Sequence, residues 1–499
     1  MIPMEQLSQS AVKKPIRPER IIQFGEGNFL RGFVDWIIQE MDDNTDFNSS
    51  VVILPGRVGS KSIEKYKDQD YLYYVNLQGK LNGETIDSLT LIDVMSRGVD
   101  PKTDFDAFLA LADVPEMRFI ISNTTEAGIT FDDKCRFDDR PAVSFPGRLT
   151  QLLYQRFKTF KGDPAKGFII LPCELIFDNG RKLQECVSKY IDLWEPDFKG
   201  NYEAFKSWVN NYCYFCSTLV DRIVTGQPSS DISKIHERIG FKDNLVVQGE
   251  AFHLWVIERP ENMSKEELRK EFPAEKAGLN VLITDSEAPY HERKVALLNG
   301  PHTILSPVAF LNGIDIVRDA CNHPLMSRYI RKVQMEELLT TLNLPEDELK
   351  EYAESVLERF NNPFIDHRLE SIMLNAFPKF ATRDLPALIK YQKIKGNLPE
   401  GLVLGLAALI KSYKGGKRTD GKDITPNDAP EIISLLTDLW SSGDYDKIAQ
   451  GVLAYEILWG ANNNLNAIPG LTTRLSAYLA RIEAGGIETV LKELMDQNG

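Results

Sequence analysis

The stretch Lys294-Val-Ala-Leu-Leu-Asn299-Gly-Pro-His302 places an amine, an amide and an imidazole within nine residues. A protonated Lys294 can hand its proton to an oxygen on which negative charge builds, while Asn299 and His302 donate hydrogen bonds to the same atom. On an unbroken α-helix Lys294 and His302 would lie roughly 80° apart in azimuth and ~12 Å apart in rise. Pro301 is expected to interrupt that helix. The plainer alternative is a helix start with a surface lysine and a capping histidine.

A second candidate is Ile21-Ile22-Gln23-Phe24-Gly25-Glu26-Gly27-Asn28-Phe29-Leu30-Arg31-Gly32-Phe33. An apolar strand runs into two glycines spaced by one, then into a helical pattern at Phe33, Trp36, Ile37 and Met41. Gly25 permits a tight turn, and Gly27 lets the backbone approach a pyrophosphate at a helix N-terminus. Leu30 stands where the dinucleotide fingerprint has its third glycine, and Arg31 offers a cation to a phosphate or a carboxylate. A plain strand–turn–helix is the alternative. The strand Val51–Leu54 leads into Pro55-Gly56-Arg57 without the acid that usually receives the ribose hydroxyls. That weakens NAD and admits NADP, because an arginine there can meet a 2′-phosphate.

Other clusters carry weaker signals. Ser122-Asn123-Thr124-Thr125-Glu126 follows an apolar strand and offers Thr124 and Glu126 to a cofactor. Asp221-Arg222, inside the apolar run Leu219–Val224, reads more readily as a structural ion pair than as a catalytic one. Cys213 and Cys216 have redox-motif spacing but sit in an aromatic stretch with no second pair nearby. No HExxH zinc motif and no GxSxG elbow occurs, so neither a metal nor a hydrolase of that type is expected.

These residues need a scaffold. Likely strands at Arg20–Phe24, Val51–Leu54, Arg118–Ser122, Gly167–Leu171, His253–Glu258 and Val281–Thr284 alternate with helical patterns, which predicts βαβ units around a mainly parallel sheet. Ser264 and Glu267 form a capping-box signature. Beyond about residue 295 the pattern is helical, with helices from Pro345 through Phe360, at Leu402–Lys411 and at Glu431–Leu439, and an exposed loop from Lys414 to Asp428. The expected fold is an α/β N-terminal Rossmann-like domain over residues 15–290, followed by an all-α C-terminal domain over 291–499. A chain of 499 residues is too long for one core, which fits two domains. With 58 basic and 72 acidic residues, the net charge of −14 disfavours nucleic acid as a partner. The longest apolar run, Leu402–Ile410, is too short for a bilayer. Without a secretory signal, and with six sparse cysteines, a cytoplasmic location is expected.

Taken in order, the blocks Ile21–Phe33, Met117–Ile129, Leu171–Gly180, Cys216–Gly226, Glu292–His302 and Ile468–Leu471 resemble the polyol-specific long-chain dehydrogenases, the mannitol dehydrogenase family. The resemblance spans nearly the whole chain. It implies a metal-independent interconversion of a sugar acid and its keto form, with NAD as the cofactor and a small-molecule substrate. The family's acid/base lysine falls on Lys294, its amide on Asn299 and its histidine on His302. The dinucleotide would be held by Phe24, Gly25, Gly27, Asn28, Phe29, Arg31, Thr124, Glu126, Val220 and Asp221. Mannitol-acting members carry an Asp-Asn pair where this chain has Glu174 and Leu175, and a carboxylate where it has His291. These departures argue against mannitol. The substrate contacts expected instead are Glu174, with Arg368 and Lys379 ahead of Arg31 and Arg383 as partners for a substrate carboxylate. The rival readings are a sibling acting on another sugar acid or polyol and a non-catalytic dinucleotide-binding regulator.

Overall fold

The computed structural model describes residues 4–57, 59–124, 127–227, 232–460 and 463–496. The chain forms two compact units, one of Met1–Gln78 with Thr85–Ala288 and one of Gly79–Glu84 with Pro289–Gly499.

Thirteen strands follow in chain order, all within the first unit except the tip of the β3–β4 hairpin: β1 (Glu19–Phe24), β2 (Ser50–Leu54), β3 (Tyr73–Leu81), β4 (Glu84–Ile92), β5 (Met95–Gly98), β6 (Phe119–Ser122), β7 (Ile169–Pro172), β8 (Tyr214–Phe215), β9 (Ser217–Asp221), β10 (Val224–Gly226), β11 (Val247–Glu250), β12 (Leu254–Glu258) and β13 (Val281–Thr284). Six of them make a sheet in the order β5-β2-β1-β6-β7-β8, with all five neighbouring pairs parallel. Successive residues point to opposite faces, and both faces are covered. Ile21, Val51, Ile53, Phe119, Ile121, Ile169 and Leu171 pack into one core, and Ile22, Val52, Leu54, Ile120 and Ile170 into the other. The strand order steps out from β1 in both directions, so the β1/β6 boundary is the topological switch point where α/β sheets bind ligands.

The Rossmann-like unit and the helical second part are as the sequence predicted. Two further sheets, β10-β11-β3-β4 and β13-β12-β9, were only partly legible. The β3–β4 hairpin escaped notice because β4 is largely exposed and lacks an apolar face. Its signal was Asn82-Gly83, both with positive φ (54° and 81°), the combination that closes a two-residue hairpin. The predicted capping box is present, Ser264 and Glu267 each bonding the other's backbone.

The second unit is built of helices, including Gly300–Leu311, Glu346–Phe360, Ala376–Arg383 and Glu400–Ser412. Pro345 precedes the helix Glu346–Phe360 as its cap rather than opening it. The segment expected as an exposed loop, 414–428, contains a small two-stranded ribbon, Gly416–Lys417 with Asp423–Ile424. It is anchored by Arg418, which is buried over Phe310 and paired with Asp315 and Asp420. Among the described residues no helix is long and apolar enough to cross a membrane.

Candidate active site

At the end of β1, Gly25 adopts φ +122°, and a Cβ there would meet Leu30 Cδ1 at 2.7 Å and the Asn123 carbonyl oxygen at 3.0 Å. Only glycine fits that turn, which the Gly25 amide secures by donating to the Leu54 carbonyl at 2.9 Å. Gly27 is different: a Cβ on it would meet nothing within 4 Å. Its backbone is open to an approaching group. The chain then enters a π-helical turn, Leu30–Asp35, and the α-helix Trp36–Asn44.

The neighbouring expected residues have varied positions. Phe24 is buried against Phe108 and Phe145, and Phe29 stacks on Phe33. The Arg31 guanidinium donates to the Leu245 carbonyl and to Asn28 Oδ1 and lies over Tyr73. Its donors are thus directed into the protein, which removes it from the free cations for a substrate. Val220 and Asp221 end β9, both buried. Arg222, expected as the ion-pair partner of Asp221, instead donates to the carbonyls of Gly32, Ala251 and Phe252, with Trp36 against its guanidinium at 4.1 Å. Glu126 lies outside the described residues.

Glu174 is 2% exposed. One carboxylate oxygen accepts from the Thr124 amide and hydroxyl, both at 2.9 Å, and the other from the Ser122 hydroxyl at 3.0 Å. Its side chain therefore ties β7 to the end of β6 and holds the Thr124 loop. Asn179 makes a parallel stitch: its amide nitrogen lies 3.0 Å from the carbonyls of Pro172, Glu174 and Thr218, and its oxygen accepts from the Thr218 amide. Together they fix the carboxyl ends of β6 and β7 and the amino end of β9. All six cysteines are buried thiols. Burial pushes Cys213 up to about 12, so the Cys213/Cys216 spacing does not make a reactive pair.

In the second unit, Lys294 ends a helix begun at Ala288, Val295–Asn299 form a π-helical turn, and Gly300–Leu311 continue as α-helix. Pro301 does not interrupt the helix. It has no N–H for the Leu297 carbonyl four residues back, and its ring crowds that carbonyl, so the helix widens instead. The Gly300 amide bonds Val295, five residues back, and the orphaned Leu297 carbonyl takes the Gln334 side-chain amide at 2.8 Å. In a π-turn residues five apart stack about one turn apart, so Lys294 and Asn299 share a face. Lys294, Asn299 and His302 are each half-buried, whereas Ala296, Leu297, Leu298, Gly300, Pro301 and Thr303 are buried. From Ala296 through Leu311 only Asn299 and His302 break the enclosure, and Lys294 and Val295 precede them at a similar exposure.

The surroundings set their chemistry. The His302 ring lies 4.1 Å from Phe360 and 4.9 Å from His367, centroid to centroid. Burial, then the charges of His367, Arg359 and Arg383, hold its imidazole well below the usual range, so the ring is neutral. Arg293, next to Lys294, is buried between Tyr290 and Tyr352 and paired with Glu348 at 2.6 Å. Arg383 donates to the Thr303 hydroxyl at 3.1 Å, and Lys379, on the same helix, to the Ile372 carbonyl at 2.7 Å. Arg368 is exposed, one residue beyond His367. Asp384, fully buried, faces Gly300: a Cβ on that glycine would lie 2.8 Å from Asp384 Oδ1.

Arg359, Arg383, His367 and Asp384 thus join the neighbourhood of His302 from distant parts of the sequence. Of these, the sequence singled out only Arg383. Among the described residues, no group of three or more histidine, cysteine or acidic side chains could hold a metal ion.

A switch-point glycine turn on a parallel sheet, with a helical unit carrying a lysine and an amide on one face, is the build of a Rossmann-type dehydrogenase. The chain belongs to the mannitol dehydrogenase family: residues 19–270 match the mannitol dehydrogenase Rossmann domain and residues 287–480 the mannitol dehydrogenase C-terminal domain. It is 59% identical over 488 residues to an altronate oxidoreductase of Phocaeicola vulgatus, covering 98% of this chain and 99% of that one. To an altronate oxidoreductase of Bacillus subtilis it is 44% identical over 484 residues, 97% of this chain and 96% of the relative. The solved Pseudomonas fluorescens mannitol 2-dehydrogenase, a ternary complex with NAD and D-mannitol, shares the fold with TM-score 0.65 and 22% identity, over 99% of this chain and 97% of that one. Membership of this family makes the protein an oxidoreductase acting on a CH–OH group.

Proposed function

We propose that the protein interconverts D-tagaturonate and D-altronate with NAD(H), a step of hexuronate breakdown, with residues 15–290 holding the dinucleotide and 291–499 the sugar acid. The observation that carries the reading is the half-exposed face shared by Lys294, Asn299 and His302, the last two being the only half-buried positions from Ala296 through Leu311. The near-full-length similarity to altronate oxidoreductases supports the choice of sugar acid. The open backbone at Gly27, beside a turn that only glycine can make, fits a pyrophosphate.

The dinucleotide, when bound, supplies or accepts the hydride. In the reducing direction Lys294 gives its proton to the oxygen of the keto carbon as that oxygen gains negative charge. The Asn299 amide donates to the same oxygen and holds it in place. His302, as a neutral imidazole, donates a further hydrogen bond to that oxygen. Arg368 and Lys379 are the cations for the substrate carboxylate. Glu174 acts on the dinucleotide side, through Thr124, rather than on the sugar.

The test is the loss of NADH absorbance with tagaturonate, fructuronate and fructose offered separately to the purified protein. Oxidation by tagaturonate far ahead of the other two is the expected result. Preference for fructuronate or fructose would overturn the substrate, and inactivity with all three would overturn the reaction.

A further inference from the structure

The strand that should end in the ribose-binding acid, β2, runs instead into Pro55-Gly56-Arg57. A carboxylate nevertheless reaches the place. Glu26, the residue between the two glycines of the turn, extends Oε2 to the Gly56 amide, which donates to it at 2.6 Å. A Cβ on Gly56 would lie 3.6 Å from that oxygen and 3.8 Å from Gly25 Cα, so the end of β2, the glycine turn and the Glu26 carboxylate meet at one point. The position is fixed from below: the Tyr66 hydroxyl donates to the Glu26 carbonyl at 2.5 Å.

The other acid in this corner is already committed. Asp100 accepts from the Gly59 amide with both oxygens, at 3.2 and 3.0 Å, and from the Lys102 amide at 2.9 Å. Glu26 keeps Oε1 without a partner among the described residues and is only partly buried. A carboxylate with one oxygen anchored and the other open suits a pair of vicinal hydroxyls, and it repels a phosphate in the same position.

Resting on the dinucleotide reading above, we propose that Glu26 takes over the role of the missing strand-end acid: it accepts the adenosine ribose hydroxyls and selects the dinucleotide without a 2′-phosphate, against the pull of the exposed Arg57. The acid has moved from the end of the second strand to the middle of the glycine turn. It still reaches the same hydroxyls.

The experiment is dissociation constants for NADH and NADPH, read by nucleotide fluorescence, for the wild type, Glu26→Gln and Arg57→Ala. Glu26→Gln can still accept from the Gly56 amide but loses the charge. It should weaken NADH about tenfold and leave NADPH unchanged or tighter. Arg57→Ala should leave NADH within about twofold and weaken NADPH. Should Glu26→Gln fail to fold, the wild type alone decides: NADH lacking the adenosine 2′-hydroxyl should bind about tenfold more weakly than NADH. Equal changes for both dinucleotides in Glu26→Gln, or full affinity for the 2′-deoxy analogue, would overturn the assignment while leaving the dinucleotide reading intact. A wild type that binds neither NADH nor NADPH would overturn both.

Discussion

In the proposed reaction Lys294 gives a proton to the oxygen that Asn299 holds, and the loss of the lysine should be read in kcat. Lys294→Ala should lower kcat by about 10²–10⁴-fold while leaving NADH affinity within about twofold. Single-turnover rates with fluorescence-measured Kd check this, and a loss under about tenfold in kcat would remove Lys294 from the role. The carboxylate partner separates on substrate charge. Arg368→Ala should raise KM for the acid substrate and leave that for a neutral ketose unchanged; equal effects on both would point instead to Arg383, beside Thr303. The motif residues of the second unit were legible because their types sit close together in sequence. The setting of His302 was not, since it depends on Phe360 and on residues 359, 367 and 383, brought in from far along the chain. Glu26 was hidden for a similar reason: its partner is thirty residues away, and nothing in a local pattern marks it.

At the level of elements, the strand ends of the first unit are held by two side chains that touch many backbones. Asn179→Ala leaves buried carbonyls without their donor and the Thr218 amide without its acceptor. The cost should be about 2–4 kcal/mol, visible as a drop in the denaturant midpoint. A change below about 0.5 kcal/mol would show the stitch to be redundant. The core strands β1, β2, β6 and β7 were readable because an unbroken β-branched run buried on both faces has few other solutions. The short or exposed strands lacked that signature. Pro301 misled because a proline in a helix usually signals a break, and the side chain that repairs this one, Gln334, lies on another helix.

Across the whole molecule, several carboxyls are buried in both units. Burial pushes Asp35 and Glu287 in the first unit and Glu337 in the second up to about 7, and holds Asp384 well above the carboxylate range. A carboxyl whose pKa rises on folding binds more protons in the native state than in the unfolded one between its two values. Its stabilising contribution is therefore complete below about 4.5 and is lost as pH rises through about 7 for Glu287 and Glu337. The melting temperature should fall from about pH 5 to about pH 8. Asp384→Asn, which removes a carboxyl with no hydrogen-bond partner among the described residues, should raise it more at the higher pH than at the lower. The same increment at both would show that Asp384 does not titrate with folding. Fold class and the division into a sheet-bearing and a helical part were the most legible features, because they follow from periodicity summed over long stretches.

The widened turn at Val295–Asn299 carries a further consequence. A π-turn is an α-helix with one residue too many, so the alignment of lysine and amide is a matter of counting. Were the same residues wound as an ordinary α-helix, five steps of about 100° would leave lysine and amide about 140° apart, whereas deleting one residue between them would set them four apart and back on one face. Rewinding alone would cost the alignment, and a matching deletion would restore it.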